Sequence, residues 1–264
     1  MKTILSILCL FVLSTDLKAE TFAIVGDAGY WNSKAKEVRD SIIRSNVKKL
    51  ILPGDNLYDL DLSYDDVWLN WSEKGLDFSV VAIGNHYKTF EEEINYFNMP
   101  GHYYIKDFGE TRFIILDSEK RSLAKEQGKW LRYVLEKSTK KFNFVVFHHP
   151  PATISYRHGW RERENFQLTI RNTLLKYQNK ITAIINGHDH LATMFTYDKI
   201  PVIVSGAVFE SRPAPAFNYF LENKIPIKTQ WVNSEGFYWV RLDIDEEREA
   251  VWVNFIRTDI EEVS

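Results

Sequence analysis

The sequence predicts a layered α/β fold. Short apolar, β-branched runs alternate with amphipathic helical stretches over most of the chain, and the C-terminal part changes to closely spaced strand patterns. With 45% hydrophobic and 26% charged residues over 264 positions, there is material for a substantial core and no compositional sign of disorder.

Taken in order, the runs at 22–25, 50–52, 80–83, 113–116, 144–147 and 181–185 are each short enough for a buried strand. Between them, residues 33–45 carry apolar side chains at Val38, Ile42 and Ile43, and residues 124–135 place Trp130, Leu131, Val134 and Leu135 on one helical stripe. Near the end, 201–204, 236–243 and 250–257 read as consecutive strands, with Asp245-Glu246-Glu247-Arg248 as a polar turn between the last two. They are expected to form an antiparallel closing portion of a second sheet. No internal repeat or Pro/Gly/Ser linker divides the chain, so residues 20–264 are expected to form a single domain.

Residues 1–19 read as a signal peptide: Lys2, an apolar run from Ile4 to Leu13, and Ala19 as the small residue before the cut. That run is too short to span a bilayer. The expected destination is outside the cytoplasm: secreted, periplasmic or in the secretory lumen. Cys9, the one cysteine, leaves with this segment, so the mature chain has no thiols and can offer a metal only oxygen and nitrogen donors. A formal net charge of -3 gives no global attraction to nucleic acid or to an anionic membrane, so any anion binding has to be local.

The ends of the strand runs carry the chemistry. Gly26-Asp27 follows the first, Gly54-Asp55-Asn56-Leu57-Tyr58 the second and Gly84-Asn85-His86 the third. His148-His149 closes the fifth, and Gly187-His188-Asp189-His190 follows the sixth. Singly, Gly-Asp is a common turn and a buried histidine is more often a core residue than a ligand. Five such segments at strand ends, all offering O or N donors, point to a metal site beyond the carboxyl ends of the sheet.

In this order the motifs resemble the calcineurin-like metallophosphoesterase superfamily. Tyr58 narrows the resemblance to the purple acid phosphatases, especially the small tartrate-resistant type. It extends over Asn98-Met99-Pro100-Gly101-His102-Tyr103-Tyr104, Leu116-Asp117-Ser118, Gln127 with Trp130-Leu131, Ser205-Gly206-Ala207 and Gly236-Phe237. The fold this implies is a sandwich of two mixed β-sheets flanked by α-helices. The implied cofactor is a dinuclear centre of Fe(III) plus a divalent metal (Fe, Zn or Mn). Asp27, Tyr58 and His190 would hold the ferric ion, Asn85, His148 and His188 the divalent one, and Asp55 would bridge them. His86 and His158 would be the catalytic acids, and His149 a support behind the ligands.

The implied activity is that of an acid phosphatase, which hydrolyses phosphate monoesters by metal-activated hydroxide, on a small phosphorylated substrate or a phosphoprotein. A phosphodiesterase or other metallophosphoesterase with two divalent ions is the nearest alternative. A catalytically silent binding protein on the same fold is the other. Two positions depart from the family pattern, Tyr87 where an acidic residue is usual and Leu191 where asparagine is common. Arg157, Trp160, Arg161 and Arg163 could rim a pocket near His158, although for Arg161 and Arg163 a solvated helix start is the favoured reading.

Overall fold

The computed structural model describes residues 19–153, 155, 163–212, 227–233 and 235–258. The segment read as a signal peptide falls almost wholly outside them, as do His158, Arg157, Trp160 and Arg161. Among the described residues no helix is long and apolar enough to cross a membrane.

In chain order the strands are β1 (Glu20–Ile24), β2 (Lys49–Leu52), β3 (Asp77–Val81), β4 (Tyr104–Phe108), β5 (Thr111–Ile115), β6 (Phe142–Val146), β7 (Ala183–Asn186), β8 (Ala192–Tyr197), β9 (Ile200–Ser205), β10 (Ile227–Asn233), β11 (Tyr238–Asp245) and β12 (Ala250–Arg257). The helices are α1 (Ser33–Arg44), α2 (Tyr64–Ser72), α3 (Phe90–Tyr96), α4 (Ala124–Lys137) and α5 (Glu164–Lys176). One sheet runs β12-β11-β1-β2-β3 and the other β10-β8-β9-β7-β6-β5-β4. Both are mixed: β1, β2 and β3 are parallel with β11 antiparallel to β1, while β5, β6, β7 and β9 are parallel with β4 and β8 antiparallel at their flanks. The expected sandwich of two mixed sheets with flanking helices is therefore the observed fold.

Alternation along the strands decides which side chains meet. Phe113 and Ile115 of β5, Phe144 and Val146 of β6, and Ile185 of β7 face the first sheet, where they join Phe22 and Ile24 of β1. The Phe113 ring lies 5.0 Å from Phe22 and 5.2 Å from Phe144. Their alternates Ile114, Val145 and Ile184 face the opposite way, onto Leu131, Val134 and Leu135 of α4 and Phe166, Ile170 and Leu174 of α5. On the far side, α1 is tied to β11 by the Trp239 indole N–H donating to Ser41 Oγ at 3.1 Å. The helix read at 33–45 does bury Val38 and Ile42, but Ile43, one residue round the turn, is 39% exposed.

One expectation is corrected. The strands at 201–204, 236–243 and 250–257 do not close a second sheet together. Strand β9 lies inside the larger sheet, parallel to β7, whereas the β11–β12 hairpin pairs with β1 in the smaller one. Period-two patterning fixes which face a strand buries, but its partner is chosen by long-range packing. Tyr238, Trp239, Val240, Leu242 and Ile244 are buried on both faces of β11, as suits a strand between β1 and β12. The polar turn is as read: Asp245 Oδ1 accepts from the backbone N–H groups of Glu247 and Arg248.

Candidate metal centre

The ends of β1, β2, β3, β6 and β7 converge where the two sheets meet. The bridging contacts are polar. The backbone N–H of His188 donates to Asp27 Oδ2 at 2.7 Å, and the Ser205 hydroxyl donates to the carbonyl of Ile24 at 3.0 Å. Asp27, Asp55, His188 and His190 all have left-handed backbone conformations, with φ of 56°, 56°, 72° and 49°. Such values are uncommon for residues other than glycine, although Asp, Asn and His adopt them several-fold more often than most. Strain of this kind persists only where the surroundings enforce it, and it gathers at functional sites.

Two groups of donor atoms result. In one, the Tyr58 hydroxyl oxygen lies 2.9 Å from Asp55 Oδ2, 3.1 Å from Asp27 Oδ1 and 2.9 Å from His190 Nε2. One hydroxyl proton cannot serve three acceptors. In the other, His148 Nε2 lies 3.1 Å from Asn85 Oδ1, 3.1 Å from Asp55 Oδ1 and 3.3 Å from His188 Nδ1. Asp55 thus turns one carboxylate oxygen toward each group. Asp27, Asp55 and His148 also offer ligand atoms within 4.8 Å of one another, as do His148, His149 and His188. Oxygen and nitrogen donors crowded this closely in a buried site are what a cation would satisfy, so the residues present fit metal ions.

The orientation of the imidazoles is set from behind. His148 Nδ1 donates to the carbonyl of Pro53 at 3.0 Å, which turns Nε2 inward. His190 Nδ1 faces Glu210 Oε2 at 3.0 Å, and that carboxylate is held in turn by Arg212. His149 turns Nδ1 to the Ser118 hydroxyl at 2.8 Å, and its ring lies 4.3 Å from that of His188. His86 is half-buried; its backbone N–H donates to Asp55 Oδ1 at 2.9 Å and its ring lies 4.4 Å from Tyr58.

The donor groups shift one another's protonation. Burial lifts the Asp27 carboxyl well above its usual range, with His148 opposing and Asp55 reinforcing the shift. Asp55 is buried too, but the neighbouring charge of His148, with His86 and His188, outweighs that burial and holds it below the usual range. Burial pushes the Tyr58 phenol up, and both aspartates add to the effect. Burial disfavours charge on His148, yet Asp55 and Asp27 carry its pKa to about 9. His190 is pushed down to about 3 by burial and by Arg212. A bound cation reverses this logic for the oxygen donors, because it favours their ionised forms.

Both departures from the family pattern directly follow site residues, Tyr87 after His86 and Leu191 after His190. Tyr87 stacks on Phe90 at 4.4 Å, and Leu191 is buried with its carbonyl accepting from the N–H of Gly206. Arg163 stands at the N-cap of α5, but its side chain is 15% exposed and paired rather than solvated, with Nε donating to Glu119 Oε2 at 2.9 Å.

Sequence reasoning missed Glu210, which follows β9 with no motif of its own, and Glu93. Glu93 is fully buried on α3 and accepts from the Asn56 amide at 2.7 Å, directly behind the Asp55 turn. Burial pushes its pKa from 4.5 up to about 8. The unfolded chain therefore ionises this group near 4.5 and the folded protein near 8, so stability is intact below the first value and falls as pH rises toward the second. Glu93→Gln, which mimics the protonated acid, is expected to be neutral at pH ~4 and to stabilise by roughly 2–4 kcal/mol at pH ~8. Denaturant titrations at the two pH values check this.

The calcineurin-like phosphoesterase family profile matches residues 20–192, which carry every donor just described. The chain belongs to the calcineurin-like phosphoesterase family. Its fold is that of metallophosphoesterase-type phosphoester hydrolases, a family that typically binds a dinuclear metal centre. Among solved structures it is similar to the Plasmodium protein GAP50, described as the anchor in the inner membrane complex, at 16% identity and a TM-score of 0.69 over 93% of this chain and 86% of that one. It is similar to the purple acid phosphatase PPD1 of yellow lupin at 14% identity and a TM-score of 0.66, over 93% of this chain and 52% of that one. A dimetal phosphatase from Danio rerio aligns at 15% identity and a TM-score of 0.57, over 90% and 99% of the two chains. These likenesses carry the fold. No curated protein matches the chain in sequence.

Proposed function

We propose that the protein is an acid phosphatase that hydrolyses phosphate monoesters at a dinuclear Fe(III)–divalent centre. The observation that carries this reading is Asp55, whose two carboxylate oxygens face two separate donor groups, one containing a tyrosine hydroxyl. Asp27, Tyr58 and His190 would hold the ferric ion and Asn85, His148 and His188 the divalent one, with Asp55 between. A phenolate near neutral pH needs a hard, highly charged partner, which argues for Fe(III) at Tyr58. When bound, the two ions supply Lewis-acid polarisation of the phosphoryl group and of water.

The remaining work falls to the chain. Asn85 and His86 bring their backbone N–H groups to Asp55 Oδ1 at 2.7 and 2.9 Å, which fixes that carboxylate. The Pro53 carbonyl and Glu210 hold the imidazoles of His148 and His190 with Nε2 inward. His86, half-buried beside Tyr58, would hand a proton to the departing alkoxide, and His158 is the other proposed acid. The apolar run at 4–13 supports action outside the cytoplasm.

Metal analysis, the visible spectrum and turnover of aryl monoesters and diesters across pH test the proposal. A tyrosinate-to-iron band is expected, and Tyr58→Phe should abolish it. A colourless, iron-free but active protein would overturn the iron assignment. Faster turnover of diesters would overturn the monoesterase reading, and a metal-replete protein that turns over no phosphate ester would leave a binding role.

A further inference from the structure

From the donor groups an aromatic wall leads outward. Phe209 meets Tyr58 edge-on at 4.9 Å and 68°, and meets His190 at 5.8 Å and 69°. Its outer side contacts Tyr30 at 5.5 Å, and Tyr30 is 40% exposed, three residues beyond Asp27. The charges next to this wall are spent on each other, since Arg212 Nη2 pairs with Glu210 Oε2 at 3.0 Å and Glu210 also faces His190. The rings of Tyr58, Phe209 and Tyr30 thus run outward from the donor groups in successive contact.

We infer that Tyr30 and Phe209 form a platform that receives a planar leaving group, so that the preferred substrates are aryl or nucleoside-type phosphate monoesters rather than phosphorylated polyols or small alkyl esters. The inference rests on the proposed phosphatase reading, which puts the phosphoryl group at the donor atoms and sends the leaving group outward. A flat ring gains offset or edge contacts with Phe209 and Tyr30, whereas a hydroxylated sp³ chain gains little and loses hydration. An exposed tyrosine is ordinary by itself. What singles out Tyr30 is the ring-to-ring contact that joins it through Phe209 to Tyr58.

The test compares phenyl phosphate with ethyl phosphate in the metal-loaded wild type, Tyr30→Ser and Phe209→Leu. For phenyl phosphate KM is expected to rise about tenfold in either variant with kcat nearly unchanged, and for ethyl phosphate KM is expected to move less than about twofold. Equal changes for both esters, or none for either, overturn the platform. If the wild type turns over neither ester, the phosphatase reading has failed, and calorimetric binding of phenylphosphonate against ethylphosphonate still decides the platform. A phenyl preference lost in Tyr30→Ser supports it, and equal binding of the two phosphonates refutes it.

Discussion

Asp55→Asn is expected to fold, to lose the paired metals and to turn over phosphate esters at less than about one-hundredth of the wild-type rate. Loss of an outer partner of a ligand typically costs 10–100-fold, and Asp55 is proposed to be a ligand to both ions. The amide is nearly isosteric, and its carbonyl oxygen can still accept from the N–H groups of Asn85 and His86, which now donate to Asp55 Oδ1. What the amide lacks is negative charge on two oxygens facing opposite ways. The metal-free protein gives an independent reading of the same change. The His148 pKa of about 9 is the outcome of burial opposed mainly by Asp55, so removing that carboxylate should bring it down sharply. An NMR titration of His148 in metal-free wild type and variant checks this, and metal content with kcat/KM checks the first claim. Full metal occupancy and unchanged turnover in Asp55→Asn would remove the basis of the proposed function.

The parts of this molecule that could be read from its sequence are those governed by local rules. The runs at 22–25, 50–52, 144–147 and 181–185 became β1, β2, β6 and β7 within a few residues, because continuous apolar β-branched runs suit strands covered on both faces. The convergence of their ends was legible because Asp, Asn and His following a strand are the residues that accept the left-handed turns seen at Asp27, Asp55, His188 and His190. Helix α2 went unread although Ser63 and Asp66 form a reciprocal capping box ahead of the buried Val67, Trp68 and Trp71. Strand β8 was hidden by its Thr-rich alternation, and the sheet joined by β11 was misassigned because pairing with β1 is a contact more than 200 residues distant along the chain. Glu210 and Phe209 had no local signal at all. Their relevance comes only from where β9 delivers them, beside His190 and Tyr58.

Gly84→Ala is expected to damage the centre nearly as severely as loss of a ligand, although glycine carries no chemistry. Its place just beyond the end of β3 is what makes it matter. In the folded protein the space it leaves is filled by a donor side chain from the neighbouring strand end. A Cβ on Gly84 would lie 2.1 Å from the backbone nitrogen of Asp55 and 2.2 Å from Asp55 Oδ1. Gly54, at φ +108°, makes the same kind of room for the His148 ring, 2.6 Å from where its Cβ would be. Neither neighbour of Gly84 is the free end of a flexible chain, so the Asp55 turn or the segment leading to Asn85 and His86 has to move. Either movement breaks the two N–H contacts to Oδ1 and turns the carboxylate away from one donor group. Overpacking of this sort costs about 1–3 kcal/mol in stability, and the misplaced Asp55 should cost at least about 100-fold in kcat/KM, since displacements near 1 Å already have effects of that size. Gly101→Ala is the control: its Cβ would meet nothing within 4 Å, so stability should stay within about 0.5 kcal/mol and turnover at the wild-type level. Denaturant unfolding and ester turnover on the two variants make the comparison, and a Gly84→Ala protein as active as Gly101→Ala would show that Asp55 does not need the position the structure gives it.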